Sequence, residues 1–486
     1  MPASDTTETT EPEPFDAGAA TRFVEDSAGS STATGNTGNA GSNVATSSSA
    51  AAPQADFTRQ NRDALVAFFR RRPHGASDGK GQTGLLGVEV EHFVVFDDDS
   101  PVPYWPRDGR IGIRDVLEEL EGFCPEREYT TEGRLIGLSG EEGTITLEPA
   151  AQLEFSMRPY AQVSQIAAAY DRFRSRVDPY LAEHGARIVN CGYHPTTKAF
   201  DLELIPKTRY RYMNDYFTQH IHTHGERMMR ASGSTQISVD FTDEADGIRK
   251  LRVASALAPV LAAITDNTPV FEAAPNIQPL RRFSLWRSVD NARCGVIPGI
   301  FDDDFSFERY ADWLLGTCPI FVTRPAASDP EGPSTRAAYD VTAAEAYADA
   351  PMTEADMIQL GSMFWPDARL KQFVEIRPGD CLPRDQILGY AALVKGLFYS
   401  EDSLAAVEER LGVTDGHWPL SAHDVDEAIA NIEAHGFAGM VYGSPLLEWE
   451  EFLFGLAREA LTCDEAGYLD ALEGFAAEKP WWRVEA

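Results

Sequence analysis

Gly87-Val-Glu-Val-Glu-His-Phe-Val-Val-Phe96 is the stretch on which the reading of the whole chain turns. Odd positions carry Glu89 and Glu91, and even positions carry Val88, Val90, Val94 and Phe96. Side chains two apart in a strand share a face, so this spacing predicts a strand with one side on a core and the other polar. Three further stretches alternate in the same way. In Glu148–Arg158, Glu148, Gln152, Glu154 and Ser156 are interleaved with Leu153, Phe155 and Met157. In Ser234–Phe241, Ser234, Gln236, Ser238 and Asp240 oppose Ile237, Val239 and Phe241. Arg369–Arg377 reads as a strand with Arg369, Lys371, Glu375 and Arg377 against Leu370, Val374 and Ile376. A solvated sheet face usually mixes Thr, Lys, Ser and Glu. Here the first two polar faces are chiefly acids and an amide, and the last is Arg-Lys-Glu-Arg. That division predicts metal ions held beside a polyanion.

Five carboxylates facing one cleft (Glu89, Glu91, Glu148, Glu154 and Glu375) repel one another unless cations neutralise them. All-oxygen ligands suit hard ions, which favours Mg²⁺ or Mn²⁺ over zinc. Arg282, Arg293, Arg369, Lys371 and Arg377 sit near turns or on polar faces. Arginine grips carboxylates and phosphates through two parallel bonds, so these residues suit an anionic substrate. Any one of these side chains alone reads as a solvated or salt-bridged surface residue; the combination carries the inference. His220, His222 and His224 alternate in a polar stretch with no cysteine nearby, which reads as a loop and not as a zinc site. Gly75–Gly81 contains Gly-Lys but lacks the register and preceding strand of a phosphate-binding loop.

The chain has 486 residues, 43% of them hydrophobic, enough for a large core. Its net charge of -34 repels nucleic acid and anionic membranes, so small-molecule partners are expected. Six scattered cysteines without a CxxC pair, and an acidic start without a signal-like apolar run, predict reduced thiols in a cytoplasm. No window approaches the roughly 20 apolar residues of a membrane helix. Residues 1–55 are Ser, Thr, Gly, Ala and acids, and read as a disordered low-complexity tail. Residues 56–486 are expected to form one folded unit. Apolar spacing predicts helices over Asp63–Arg70, Gln162–Glu183 and Asp246–Ile264, and Pro325–Asp340 reads as a loop. A helical C-terminal part is expected from about 384, with helices over Arg384–Tyr399, Ser403–Leu411, Ala422–His435 and Leu446–Ala477. The fold class predicted is α+β.

The ordered motifs resemble those of glutamate–cysteine ligases of the plant-type and actinobacterial branch, within the glutamine-synthetase-like carboxylate–amine ligases. Gly87-Val-Glu-Val-Glu91 is similar to the family's opening G-x-E-x-E strand. Leu147-Glu-Pro-Ala-Ala-Gln-Leu-Glu-Phe-Ser156 resembles L-E-P-G-G-Q-x-E-L-S, with Ala150-Ala151 in place of Gly-Gly. Ile205–Met213 resembles P-K-x-R-Y-x-x-M, and Met228–Asp240 resembles M-M-R-T-C-T-V-Q-V-N-L-D with Ala231-Ser232 for Thr-Cys. Arg282, Trp286, Asp290, Arg293 and Gly295 follow R-x-x-x-W-x-x-x-D-x-x-R-x-G, and Arg369–Arg377 follows R-L-K-x-x-x-E-x-R.

The resemblance implies a curved, mainly antiparallel sheet forming an active-site funnel with helices outside. It implies ATP-dependent ligation of L-glutamate, through its γ-carboxylate, to L-cysteine, the first step of low-molecular-weight thiol biosynthesis such as that of glutathione or ergothioneine. On that footing Glu89, Glu91, Glu148, Glu154 and Glu375 would hold two or three Mg²⁺ ions, with Gln236 completing the shell. Arg377 and Lys371 would stabilise charge on the transferred phosphoryl group. Arg282 and Arg293 would clamp the α-carboxylate of glutamate, and Lys207 and Arg209 would contact substrate or nucleotide. Two other readings stay open: a ligase with another amine acceptor, and an inactive binding protein on the same scaffold.

Deleting residues 1–54 should leave both the melting temperature and the turnover nearly unchanged, because the segment has too little apolar surface to dock. A large loss of either, by thermal melt or by steady-state assay, would mean that the tail folds onto the body.

Overall fold

The computed structural model describes residues 56–71, 84–325 and 333–482. The expected tail, residues 1–55, and the Gly75–Gly81 stretch lie outside the described residues. Strand β1 (Leu86–Phe96), the longest of the sheet, lies inside it. Its companions are β2 (Glu126–Tyr129), β3 (Leu135–Gly140), β4 (Gly143–Leu147), β5 (Leu153–Tyr160), β6 (Ala186–Val189), β7 (Thr235–Val239), β8 (Ala368–Leu370) and β9 (Val374–Ile376). The order is β8-β9-β7-β1-β5-β4-β3-β2, with β6 paired to the far half of β1, and every pair is antiparallel. The sheet is open, not closed into a barrel, and the fold is α+β as the alternation predicts.

One face of this sheet is apolar. Val88, Val90, Leu153, Phe155, Ile237, Val374 and Ile376 are buried on it. Helices Val163–Glu183, Glu244–Thr265 and Arg384–Phe398 pack there. Phe155 stacks on Phe173 with ring centroids 4.8 Å apart. His92, also on this side, bonds to the Leu153 carbonyl at 2.8 Å and to the Tyr170 hydroxyl at 3.0 Å, tying helix Val163–Glu183 to β1 and β5. Burial pushes the His92 imidazole down to about 3, so it is neutral. Helix Glu244–Thr265 is buried nearly all round, because helices Ala422–His435, Leu446–Ala460 and Leu469–Ala477 cover its second side. A single hydrophobic cluster therefore runs from Leu65 to Trp482.

Several segments differ from expectation, each for a local reason. Arg369–Arg377 is not one strand but the hairpin β8–β9, with Arg369 directly opposite Glu375. Three residues, Lys371–Phe373, make its turn, and an odd number preserves facing, so the alternation runs through it unbroken. The long helix expected over Leu446–Ala477 breaks after Ala460, where Leu461 is extended and the Thr462 side chain caps a new turn through the Glu465 N–H. The ends of the loop expected at Pro325–Asp340 join an antiparallel pair, Phe321–Pro325 with Pro333–Ala337; residues 326–332 lie outside the described residues.

Glu148 is not on a strand either. It opens the turn from β4 to β5, in which the Glu148 N–H donates to the Gln152 carbonyl and the Ala151 N–H to the Glu148 carbonyl, both at 3.0 Å. The Ala150 N–H donates to Gln152 Oε1 at 2.8 Å. Ala151 has φ of 67°, the left-handed conformation that a three-residue hairpin loop ends on and that favours glycine. Two hydrogen bonds from Gln152 Nε2, to the carbonyls of Met229 (3.2 Å) and Ser232 (3.1 Å), anchor the turn from below. The second alanine of Ala150-Ala151 thus sits where the backbone conformation favours glycine.

Ala151→Gly should accordingly be mildly stabilising. The left-handed conformation costs alanine about 1–2 kcal/mol, whereas glycine adds about 0.5–1 kcal/mol of unfolded-chain freedom. A gain of up to about 1 kcal/mol is expected, read as a raised denaturant midpoint at constant m-value. A lowered midpoint would mean the alanine methyl packs well enough to outweigh the strain.

Candidate active site

The register brings the polar side chains into rows across the sheet. One row runs Gln236, Glu89, Ser156, Thr144, Ser139, Glu126, and the next runs Glu91, Glu154, Thr146, Gly137, Glu128. Glu89, Glu91 and Glu154 meet at the centre, each offering an oxygen within 4.8 Å of the others. Among the described residues they are the one group of three or more such side chains spaced to hold an ion, and none of the three histidines of the His220–His224 tract belongs to it. Glu91 and Glu154 are 7% and 5% exposed, and Glu89 is half-buried.

Neighbours hold these carboxylates in place. Ser156 Oγ donates to Glu89 at 3.1 Å and lies 2.9 Å from Glu154 Oε1, which also accepts from Thr146 Oγ1 at 2.7 Å. Gln236 Nε2 donates to Glu89 at 2.9 Å, to Glu91 at 3.3 Å and to Ser234 Oγ at 3.1 Å. Burial, then the nearby Glu154 and Glu375, pushes Glu89 up to about 8. Burial and the charges of Glu148 and Glu91 push Glu154 up to about 8, and burial with Glu91 pushes Glu148 up to about 7. Burial also raises Glu91. Desolvation and like charge act in one direction here, so the group takes up protons or a cation. The donor set is three carboxylates and no nitrogen or sulfur, which fits a hard divalent ion such as Mg²⁺ or Mn²⁺.

At the β8–β9 end of the same face the charge changes sign. Glu375, 2% exposed, accepts from Arg369 Nε at 2.7 Å, Lys371 Nζ at 2.6 Å and Arg377 at 2.8 Å. Burial alone would raise its pKa, but the charges of Arg369, Lys371 and Arg377 hold it well below the usual carboxylate range. Glu375 thus anchors three cations at the basic end of the face and lies outside the group of three carboxylates spaced to hold an ion. The Gln236 amide nitrogen faces the acids while its oxygen accepts from Arg377, so it bridges the acidic and basic halves. Glu148 stands beside the triple, with Tyr210 Oη 3.3 Å away, and couples to it through charge.

Other predicted residues divide. Arg293, 1% exposed, is saturated by Asp290 (2.6 Å), the Tyr216 hydroxyl (3.1 Å) and the Cys318 carbonyl (2.8 Å). These bonds tie Arg293 to Asp290, Tyr216 and Cys318. Arg282 is buried near Glu91 but loosely held: Asp380 is 3.6 Å away, the Pro378 carbonyl 3.4 Å, and its Nε has no hydrogen-bond partner. Trp286, on the same helix Arg281–Arg287, lies between Arg282 and Arg377, whose guanidinium carbons are 6.0 Å and 5.6 Å from its ring. Its indole N–H donates to Ser232 Oγ at 3.1 Å. Lys207 and Arg209 stand on the opposite bank, where their charges oppose the burial that raises Glu148 and Glu128. Glu128 escapes the sequence reading, because exposed Arg127 and not an apolar residue separates it from Glu126 on β2.

Residues 85–419 match the family described as Glutamate-cysteine ligase family 2. The chloroplastic glutamate–cysteine ligase B of Oryza sativa subsp. japonica is 32% identical over 326 residues, 67% of this chain and 64% of that protein. The chloroplastic glutamate–cysteine ligase of Nicotiana tabacum is 33% identical over 327 residues, 66% of this chain and 60% of its own. The chain thus spans less than two thirds of these relatives' length. A glutamate–cysteine ligase from Francisella tularensis, solved in complex with AMP, aligns at a TM-score of 0.47 and 11% identity over 83% of each chain. No helix among the described residues is long and apolar enough to cross a membrane.

The two kinds of glutamate should respond oppositely to neutralisation when no divalent ion is present. Glu89 binds a proton more tightly in the folded chain than in the unfolded one, so its contribution to stability falls as pH rises from about 5 to about 8. Glu89→Gln should then be more stable than wild type at pH 8, with the gap closing towards pH 5. Glu375→Gln should lose about 3–5 kcal/mol at pH 8, because it strands buried cations. Denaturant titrations in chelator at the two pH values check this; equal losses in both variants would contradict it.

Proposed function

The chain belongs to the glutamate–cysteine ligase family 2, and from that premise we propose that it joins L-glutamate to L-cysteine with ATP, giving γ-glutamylcysteine, ADP and phosphate. The observation that carries this reading is the pairing of the Glu89–Glu91–Glu154 triple with the Arg369–Lys371–Arg377 cluster on one sheet face, bridged by Gln236. A carboxylate is a poor acyl donor because its leaving group would be oxide. In the proposed reaction a γ-carboxylate oxygen attacks the terminal phosphorus of ATP, the bond to ADP breaks, and γ-glutamyl phosphate forms. The cysteine nitrogen then attacks the carbonyl carbon, the bond to phosphate breaks, and the nitrogen loses a proton.

The residues divide this work. Glu89, Glu91 and Glu154 would hold Mg²⁺, which when bound offsets phosphate charge. Arg377 and Lys371 would meet the negative charge that spreads over the transferred phosphoryl oxygens, and Glu375 keeps them aimed across the sheet. Arg282 has an unused donor beside Glu91 and would grip the α-carboxylate of glutamate, with Trp286 walling the pocket. Lys207 and Arg209 would approach the anionic substrates from the other bank. No covalent enzyme nucleophile is required.

ADP release measured with glutamate alone, with cysteine added and with a panel of other amines tests the reading. Cysteine should give the highest kcat/KM and a γ-glutamylcysteine product. Preference for another amine would make the chain a ligase with a different acceptor, and no ADP under any condition would make it a binding protein. Arg282→Lys should raise the KM for glutamate roughly ten- to hundredfold, since lysine loses the planar fork and a charge-assisted bond of about 1.5–3 kcal/mol. The KM for ATP should move little; if it moved instead, Arg282 would be a nucleotide contact.

A further inference from the structure

The last described residues reach back to the helix that carries Arg282 and Trp286. Lys479, 3% exposed, donates through Nζ to the carbonyls of Ile264 (3.0 Å) and Asp266 (2.8 Å), capping the end of helix Glu244–Thr265. The indoles of Trp481 and Trp482 both donate to the Asp266 carboxylate, Trp481 to Oδ1 at 3.2 Å and Trp482 to Oδ2 at 2.9 Å. Asp266, 2% exposed, receives two further N–H bonds there, from Thr268 at 3.2 Å and from Leu280 at 2.7 Å.

Leu280 is the residue immediately before helix Arg281–Arg287, and it is left-handed at φ 56°. A bulky residue keeps that conformation only where its surroundings over-determine it. The Asp266 carboxylate on its N–H supplies one such restraint, and it fixes the direction in which the helix leaves. A second connection runs from the same loop. Asp380 accepts from the Asn267 N–H at 2.8 Å and from Thr268 Oγ1 at 2.7 Å, and its other oxygen is the one 3.6 Å from Arg282. Loop 266–268 therefore restrains Arg282 twice, once through the start of its helix and once through its carboxylate neighbour. The strap that clamps this loop lies beyond residue 419, outside the part of the chain that matches the family.

We propose that the strap Lys479–Trp482 is a positioning element for substrate binding: by holding the Asp266 carboxylate it sets the helix that presents Arg282 and Trp286 to the α-carboxylate of glutamate. The last clause rests on the functional reading above; the ordering of the helix by the strap does not. Neither tryptophan touches the site, so the effect belongs in glutamate affinity and not in the chemical step.

The test uses Trp482→Phe in the full chain, which keeps an aromatic ring in the core but removes the N–H donor together with part of the indole's volume. Amide hydrogen exchange should become faster over residues 280–287 while helix Val163–Glu183 stays as protected as in wild type. The KM for glutamate should rise about five- to tenfold, with kcat and the KM for ATP within about twofold of wild type. Asp266→Asn, which keeps one acceptor oxygen, should give the same pattern and guards against a packing defect peculiar to the phenylalanine. Unchanged exchange over residues 280–287 in both variants would overturn the proposal. So would faster exchange with an unmoved KM for glutamate, or an equal fall of kcat with every substrate. If the wild-type chain turned over no glutamate at all, the functional reading alone would fall, and the exchange pattern would still decide whether the strap sets the helix.

Discussion

Three carboxylates brought within 4.8 Å of one another, two of them buried and one half-buried, form the constraint on which the rest of the site depends. Glu89, Glu91 and Glu154 come from adjacent strands whose other faces are core, so they cannot swing apart without disturbing packed valines and leucines. Burial and like charge raise the proton affinity of Glu89 and Glu154. A sheet that places them so needs positive charge, as protons, as a bound cation or as a neighbouring side chain. The chain supplies the side chains one strand pair away and ties them down with their own acid, Glu375. Without Glu375, Arg369, Lys371 and Arg377 would lose the buried carboxylate that balances their charge. Gln236, bonded to acids on one side and Arg377 on the other, holds the two halves in register.

Much of this is legible in sequence, because strand alternation is a strict period and a buried face cannot tolerate a slip. Glu89, Glu91 and Glu154 can be assigned to one polar face from spacing alone, and the structure puts them side by side. Spacing carries no information on which charges pair. Glu375 sits among the acids in the one-dimensional pattern, yet the hairpin turn at Lys371–Phe373 folds Arg369 directly opposite it. Arg282 and Arg293 belong to one motif, yet Asp290 claims Arg293 three residues away while Arg282 faces the cleft with a donor to spare. Motif spacing also misses the short helix Arg281–Arg287, since seven residues offer too little periodicity and its start depends on a carboxylate distant in sequence.

That helix shows how the site extends beyond the sheet. The strands provide the floor, with acids at the centre and cations at the β8–β9 end. The wall comes from the segment that carries Arg282 and Trp286, and its footing is loop 266–268 at the end of the buried helix Glu244–Thr265. The C-terminal helices wrap that buried helix and place Lys479, Trp481 and Trp482 against its last carbonyls and the following carboxylate. A mainly structural layer thus shares loop 266–268 with the segment that carries Arg282 and Trp286.

The central claim is that the acid triple is a cation site kept partly protonated until it is filled. Calorimetric titration of the full-length chain with MgCl₂ at pH 7, repeated in two buffers of different ionisation enthalpy, counts the protons released for each ion bound. The account predicts release of about one proton or more per ion, because carboxylates raised to near or above neutrality must lose protons to ligate. It also predicts that binding is lost in Glu154→Gln. Binding with no proton release, or binding that survives in Glu154→Gln with the same affinity, would contradict it.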